Sequence, residues 1–86
     1  MIETEVRVRY FAGARAAAGV REETVRLPAG ATVADAVAAL GARHGAALAR
    51  VLPAASFLLD GVAVRDRDIR LPDVTGLDVL PPFAGG

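Results

Sequence analysis

The residues of this sequence whose types and spacing could do chemistry stand together at its end: Pro81-Pro82-Phe83-Ala84-Gly85-Gly86. A C-terminal carboxyl group has a pKa of about 3.3–3.7, so near neutral pH it is ionised and unreactive. It becomes an acyl donor only when activated, for instance as an acyl adenylate made by a separate enzyme. Such an enzyme must admit the terminus into a narrow site that excludes water. Glycines pass through a slot of that kind and allow the backbone close approach. After activation, a sulfur source can turn the terminus into a thiocarboxylate, and the chain can then deliver sulfur to a second enzyme. Gly86 would carry the reacting group, with Gly85 leading it in.

The arm that presents this group is expected to be mobile, because nothing after Leu80 reads as a helix or strand that would pack it. Six extended residues reach roughly 20 Å. Pro81-Pro82 should stiffen the base and project the arm away from the domain. The expected division is a folded domain over residues 1–80 and a flexible tail over residues 81–86. Phe83 is a candidate interface anchor, or it folds back onto its own sheet.

Other chemistry is scarce. The 86 residues include no Cys, which removes disulfides, thiolate metal sites and a cysteine nucleophile. All ten basic residues are Arg. Ser56 and His44 are the sole serine and histidine, and no G-x-S-x-G elbow surrounds Ser56. His44 reads as a helix-end residue with no second metal ligand in sight. No metal and no cofactor bound by the chain itself are expected. Zero formal net charge gives no general reason to expect nucleic acid or an anionic membrane as partner. The apolar runs are too short to span a bilayer, and Met1-Ile2-Glu3-Thr4-Glu5 is unlike a secretory signal. A soluble, cytoplasmic protein is the expectation.

The elements that must position the tail follow from periodicity. Glu5–Phe11 alternates, with Val6, Val8 and Tyr10 on one face and Arg7 and Arg9 on the other, which predicts a half-buried strand. Ala12–Val20 reads as a connection with a short helical turn. Glu22–Leu27 is a second strand, with Val25 and Leu27 inward and Arg26 outward. Thr32 is the expected N-cap of a helix with Asp35 at N3, followed by Val33, Ala36, Val37 and Leu40 at core spacing. Arg43-His44-Gly45 closes that helix, and Ala46–Val51 adds another short helical turn. Asp60-Gly61 between Phe57-Leu58-Leu59 and Val62-Ala63-Val64 predicts a hairpin. Ile69–Val74 reads as a connection, Leu77–Leu80 as the last strand, and Pro81-Pro82 as its stop. The fold class is α+β: a mixed sheet of four to five strands, one main helix across one face, and the last strand parallel to the first in the centre. Arg7, Arg9 and Arg26 would share the outer face, either as solvated charges beside Glu and Asp or as a docking patch for an acidic surface.

Three stretches carry a resemblance. Arg9-Tyr10-Phe11-Ala12 with Arg15 and Gly19, Leu27-Pro28-Ala29-Gly30-Ala31-Thr32-Val33, and Pro81-Pro82-Phe83-Ala84-Gly85-Gly86 are similar to the MoaD/ThiS sulfur-carrier family. The resemblance extends over essentially the whole chain and is nearest to its MoaD branch, the small subunits of molybdopterin synthase. Val74-Thr75-Gly76 departs from the Gly-Asp turn often found before the last strand of that family. The resemblance implies a ubiquitin-like β-grasp fold and adenylation of Gly86 by a MoeB-like enzyme that uses ATP. It implies a thiocarboxylate at Gly86 and a MoaE-like large subunit that receives the tail, with Pro81, Pro82, Phe83 and Ala84 leading it in. The chain would not be catalytic alone; it would donate sulfur within the synthase complex, for the dithiolene of molybdopterin.

Three other functions share these features. A carrier of the same kind could serve cysteine or thiamine synthesis. A ubiquitin-like modifier would join Gly86 to a lysine of a target, though without Lys the chain cannot build lysine-linked chains on itself. A β-grasp binding module would pair through an open sheet edge and need no terminal glycines.

Overall fold

A computed structural model describes residues 3–81. The alternating first segment forms strand β1 (Glu3–Tyr10), with Val6, Val8 and Tyr10 buried and Arg7 and Arg9 exposed. It pairs antiparallel with β2 (Glu22–Pro28), where Val25 and Leu27 face the same core. Between them lies a seven-residue helix, α1 (Ala12–Ala18), longer than the single turn expected from the sequence. Gly19, at φ 80°, ends it in the left-handed region, and its N–H donates to the Arg15 carbonyl at 2.9 Å.

Helix α2 (Val33–His44) starts as its sequence predicts. The Asp35 N–H donates to Thr32 Oγ1 at 3.2 Å, and the Thr32 N–H donates to Asp35 Oδ2 at 2.9 Å, a reciprocal capping box. Two further unpaired donors of the first turn reach the following loop: Val33 N–H to the Ile69 carbonyl and Ala34 N–H to the Arg67 carbonyl. Val33, Ala36 and Leu40 are at most 1% exposed, so the helix closes one face of the sheet. A short helix α3 (Ala46–Val51) and a 3₁₀ turn (Leu52–Ala54) bring Leu48 and Leu52 into the same core.

Strands β3 (Ser56–Leu59) and β4 (Val62–Ala63) form the expected hairpin, with Leu59 opposite Val62. Asp60 and Gly61 both have positive φ, 49° and 86°, as a two-residue turn between twisted strands requires. The last strand, β5 (Val74–Leu80), begins three residues earlier than Leu77. Val74-Thr75-Gly76 is already strand, paired with Glu5-Val6-Arg7 of β1. Gly76 hides this start, because a glycine inside a strand breaks the apolar alternation.

The sheet order is β2-β1-β5-β3-β4, with β5 parallel to β1 and antiparallel to β3. The last strand therefore lies in the centre, as the sequence suggested. No helix among the described residues is long and apolar enough to cross a membrane.

Candidate functional site: the end of the central strand

Strand β5, which leads into the terminal residues, is paired on both sides. Tyr10 is paired with Val79 on one side of β5, and Ser56 with Leu80 on the other. Beyond the ladder, the Phe11 N–H donates to the Val79 carbonyl at 3.0 Å. Pro81 is next, half-buried and with no N–H to donate, so the ladder stops there. Of the residues expected to form the working tail, Pro81 alone is described; Pro82, Phe83, Ala84, Gly85 and Gly86 lie outside the described residues, as does the proposed flexibility of the tail.

Inward-facing Leu77 and Val79 are fully buried, whereas Gly76, Asp78 and Leu80 lie on the other, open face. Asp78 is held there by a bidentate pair: Arg9 Nε donates to Oδ1 at 2.8 Å and Arg9 Nη2 to Oδ2 at 2.9 Å. The Arg9 guanidinium also lies 5.7 Å from the centre of the Phe11 ring, itself 39% exposed beside the strand end. Arg26 approaches Glu5 at 3.7 Å. Two of the three outer-face arginines thus have carboxylate partners within the domain. Arg7 makes no ion pair with the described residues, and borders an open notch of about 320 Å³ shared with Asp60, Gly61 and Gly76. The face is a mixed lattice of charges rather than a basic patch.

The hairpin is tied to the start of β5 by Asp60. Its Oδ2 accepts from Thr75 Oγ1 at 2.6 Å and its Oδ1 from the Gly76 N–H at 2.8 Å. These two donors hold its carboxyl below the usual carboxylate range, the Thr75 hydroxyl first. Its own N–H donates to the Gly76 carbonyl at 2.9 Å.

A second polar cluster sits on the core side and was not legible as a unit. Glu23 of β2 accepts from the Tyr10 hydroxyl at 2.6 Å, pairs with Arg43 Nε at 3.0 Å, and is hydrogen-bonded to His44 Nε2. The Tyr10 and His44 rings meet edge to face at 5.8 Å. Burial works to raise the Glu23 pKa, but the hydrogen bonds from Tyr10 and His44 and the neighbouring charges outweigh it and hold the carboxyl low. Burial, then the Glu23 hydrogen bond, pushes the Tyr10 phenol well above its ordinary value. One signal was available: Val25 and Leu27 face inward, and period two puts Glu23 on the same side. The cluster joins β1, β2 and the end of α2, and no group of three or more His, Cys, Asp or Glu among the described residues could hold a metal.

Known proteins are similar to this chain in fold and in sequence. The ThiS family profile matches residues 8–86, nearly the whole chain. The chain belongs to the ThiS family. It is thus a member of the MoaD/ThiS sulfur-carrier family that its three stretches resembled. Over 83 residues it is 37% identical to the molybdopterin synthase sulfur carrier subunit of Chlamydomonas reinhardtii, covering 95% of this chain and 99% of that one. The putative molybdopterin converting factor subunit 1 of Pyrococcus furiosus superposes with a TM-score of 0.77 at 31% identity, covering 93% of this chain and 99% of the other. The small archaeal modifier protein 1 of Haloferax volcanii gives a TM-score of 0.81 at 26% identity, covering 93% and 99%. The α+β, ubiquitin-like β-grasp fold of these ThiS-type relatives is the fold of this chain.

Proposed function

We propose that this chain is the sulfur-carrying small subunit of a molybdopterin synthase. The observation that carries this reading is the near end-to-end match to the Chlamydomonas carrier subunit, on a chain whose central strand runs directly into Pro81-Pro82-Phe83-Ala84-Gly85-Gly86. In the first step a carboxylate oxygen of Gly86 attacks the α-phosphate of ATP on a MoeB-like enzyme. Pyrophosphate leaves and an acyl adenylate forms. Hydrosulfide, or an equivalent sulfur donor, then displaces AMP and leaves a thiocarboxylate. The MoaE-like large subunit takes in the tail, with Pro81, Pro82, Phe83 and Ala84 as its contacts, and supplies the acid–base groups of dithiolene formation. This chain contributes a rigid strand to aim the arm and a terminus slim enough to be threaded. ATP is consumed on the partner, and this chain holds no cofactor of its own.

The similarity to small archaeal modifier protein 1 favours one second reading, attachment of Gly86 to lysines of other proteins. Reconstitution separates the two. With a large subunit, a MoeB-like enzyme, ATP, sulfide and the pterin precursor, the carrier yields dithiolene product, and deletion of Gly86 abolishes it. Higher-mass conjugates on target proteins, with no product formed, would instead select the modifier.

A further inference from the structure

Strand β2 is one edge of the sheet and β4 the other. Since β4 is only Val62–Ala63, the long open edge is β2 (Glu22–Pro28). One hydrogen bond shows which of its backbone groups face outward. The Tyr10 N–H donates to the carbonyl of Arg21, its direct opposite in the antiparallel register. Arg21 and every second residue after it, Glu23, Val25 and Leu27, therefore bond β1. Glu22, Thr24 and Arg26 turn their N–H and carbonyl groups away from the sheet, where they have no partner among the described residues. Pro28 bounds this row, having no N–H and a carbonyl that already accepts from the Ala31 N–H at 3.1 Å.

An open row of this kind pairs with another strand unless something blocks it. An inward-pointing charge is one such block. Glu23 does point inward, but its carboxylate is engaged by Tyr10, Arg43 and His44 of its own chain. On the outer face the edge presents Glu22, Thr24 and Arg26, all exposed. This row is its own complement. When two copies pair antiparallel about Thr24, Glu22 of each stands opposite Arg26 of the other, and Thr24 opposite Thr24. Each of these is a hydrogen-bonded pair, so the outward groups of Glu22, Thr24 and Arg26 all find partners. The pairing also continues a row of charges already in place. Asp78, Arg9 and Glu22 are successive neighbours across β5, β1 and β2, and Arg26 neighbours Glu5. Arg9 is bonded to Asp78, and Arg26 lies 3.7 Å from Glu5. Across the seam the signs alternate without a break: Asp78, Arg9 and Glu22, then Arg26 and Glu5 of the second copy. Sliding the register by two residues sets Glu22 opposite Pro28 or Thr24 instead and loses the match.

We propose that β2 is a self-association edge, joining two copies of this chain antiparallel about Thr24 into one continuous sheet with two-fold symmetry. β1 stands between the seam and β5, so the contact does not depend on the carrier reading. A seam of one strand pair is small, which places the dimer in the weak, reversible class.

Sedimentation velocity of the full chain over a dilution series tests it, with Glu22→Arg, Arg26→Glu and Thr24→Pro beside the wild type. The wild type should pass from monomer to dimer as concentration rises, and the amides of Glu22, Thr24 and Arg26 should gain exchange protection in step. Each charge variant should weaken the dimer by roughly tenfold, because both seam pairs become like charges at once. An equimolar mixture of the two should restore it, since opposite charges then meet again. Thr24→Pro removes an N–H that the fold does not use and should stay monomeric with unchanged circular dichroism. If that variant loses its fold, the charge variants and their mixture decide. A wild type that is monomeric throughout the series overturns the proposal. So does a dimer that the charge variants leave intact, which would lie on another face, or a mixture no stronger than either variant alone, which would deny the register.

Discussion

Glu23→Ala probes the polar cluster that fastens the end of α2 to β1 and β2. The Glu23 and His44 side chains are 11% and 14% exposed, and Tyr10 is 3% exposed. Removing the carboxylate strands a buried phenol hydroxyl, which costs about 1–3 kcal/mol. It also removes a charge-assisted bond to His44, worth roughly another 1.5–3 kcal/mol before the regained hydration of that ring is counted. The Arg43 pair adds little, because that side chain is 55% exposed. A net loss of about 3 kcal/mol is expected, out of a total stability on the order of 4–13 kcal/mol for a chain of this length. In a domain of this size that lowers Tm by roughly 12–24 °C. Thermal unfolding by circular dichroism at neutral pH, with a urea titration beside it, reads both quantities. The double variant Tyr10→Phe with Glu23→Ala should be less destabilised than the sum of its parts, since the hydroxyl is no longer orphaned. The pH dependence has a definite sign. Glu23 is held below its unfolded pKa, near 4.3 for a free Glu, so its contribution is present above that value and lost as pH falls through the folded pKa. Glu23→Gln should therefore flatten the acid limb of the stability curve. A loss under about 0.5 kcal/mol in Glu23→Ala, with additive double-variant energies, would refute the reasoning, since it undercuts even one orphaned hydroxyl.

Three further outcomes are expected. Thr32→Ala removes the capping-box acceptor of the Asp35 N–H and should cost about 1 kcal/mol, read as a lower midpoint in urea with an unchanged slope. Leu40→Ala empties a fully buried site beneath the sheet and should cost about 2–5 kcal/mol by the same titration. Asp60→Ala releases Thr75 and the Gly76 N–H, so amide exchange should quicken at Gly76 and through the hairpin turn while α2 keeps its protection.

Much of this architecture could be read before the structure, for identifiable reasons. The strict alternation of Val6, Val8 and Tyr10 allows one strand register. Thr32 and Asp35 are a helix start in two residues, and Asp60-Gly61 satisfies two positive φ angles that few other pairs could. The end of β5 was legible because Pro81 cannot donate to a ladder; the rest of the tail motif lies outside the described residues. What was misread lacked local signals. Helix α1 has Phe11 at its N-cap position with no side-chain cap, so Ala12–Val20 read as a connection with only a short helical turn. The start of β5 was hidden by Gly76, whose place in the strand shows only in its pairing with Arg7 of β1. The Arg9–Asp78 pair spans 69 positions and needs the parallel β1–β5 register to be known first. The Glu23 cluster needs the end of α2 placed over β2, which no single segment specifies.

The proposed chemistry takes place at the carboxyl group of Gly86, and the mass of the intact chain tests it most directly. The purified protein is incubated with ATP, sulfide and a MoeB-like adenylating enzyme, with a Gly86 deletion carried in parallel. A gain equal to exchanging one oxygen for sulfur is expected, dependent on ATP and absent from the deletion. An unchanged mass, with an adenylating enzyme shown to be active on another carrier, would contradict it.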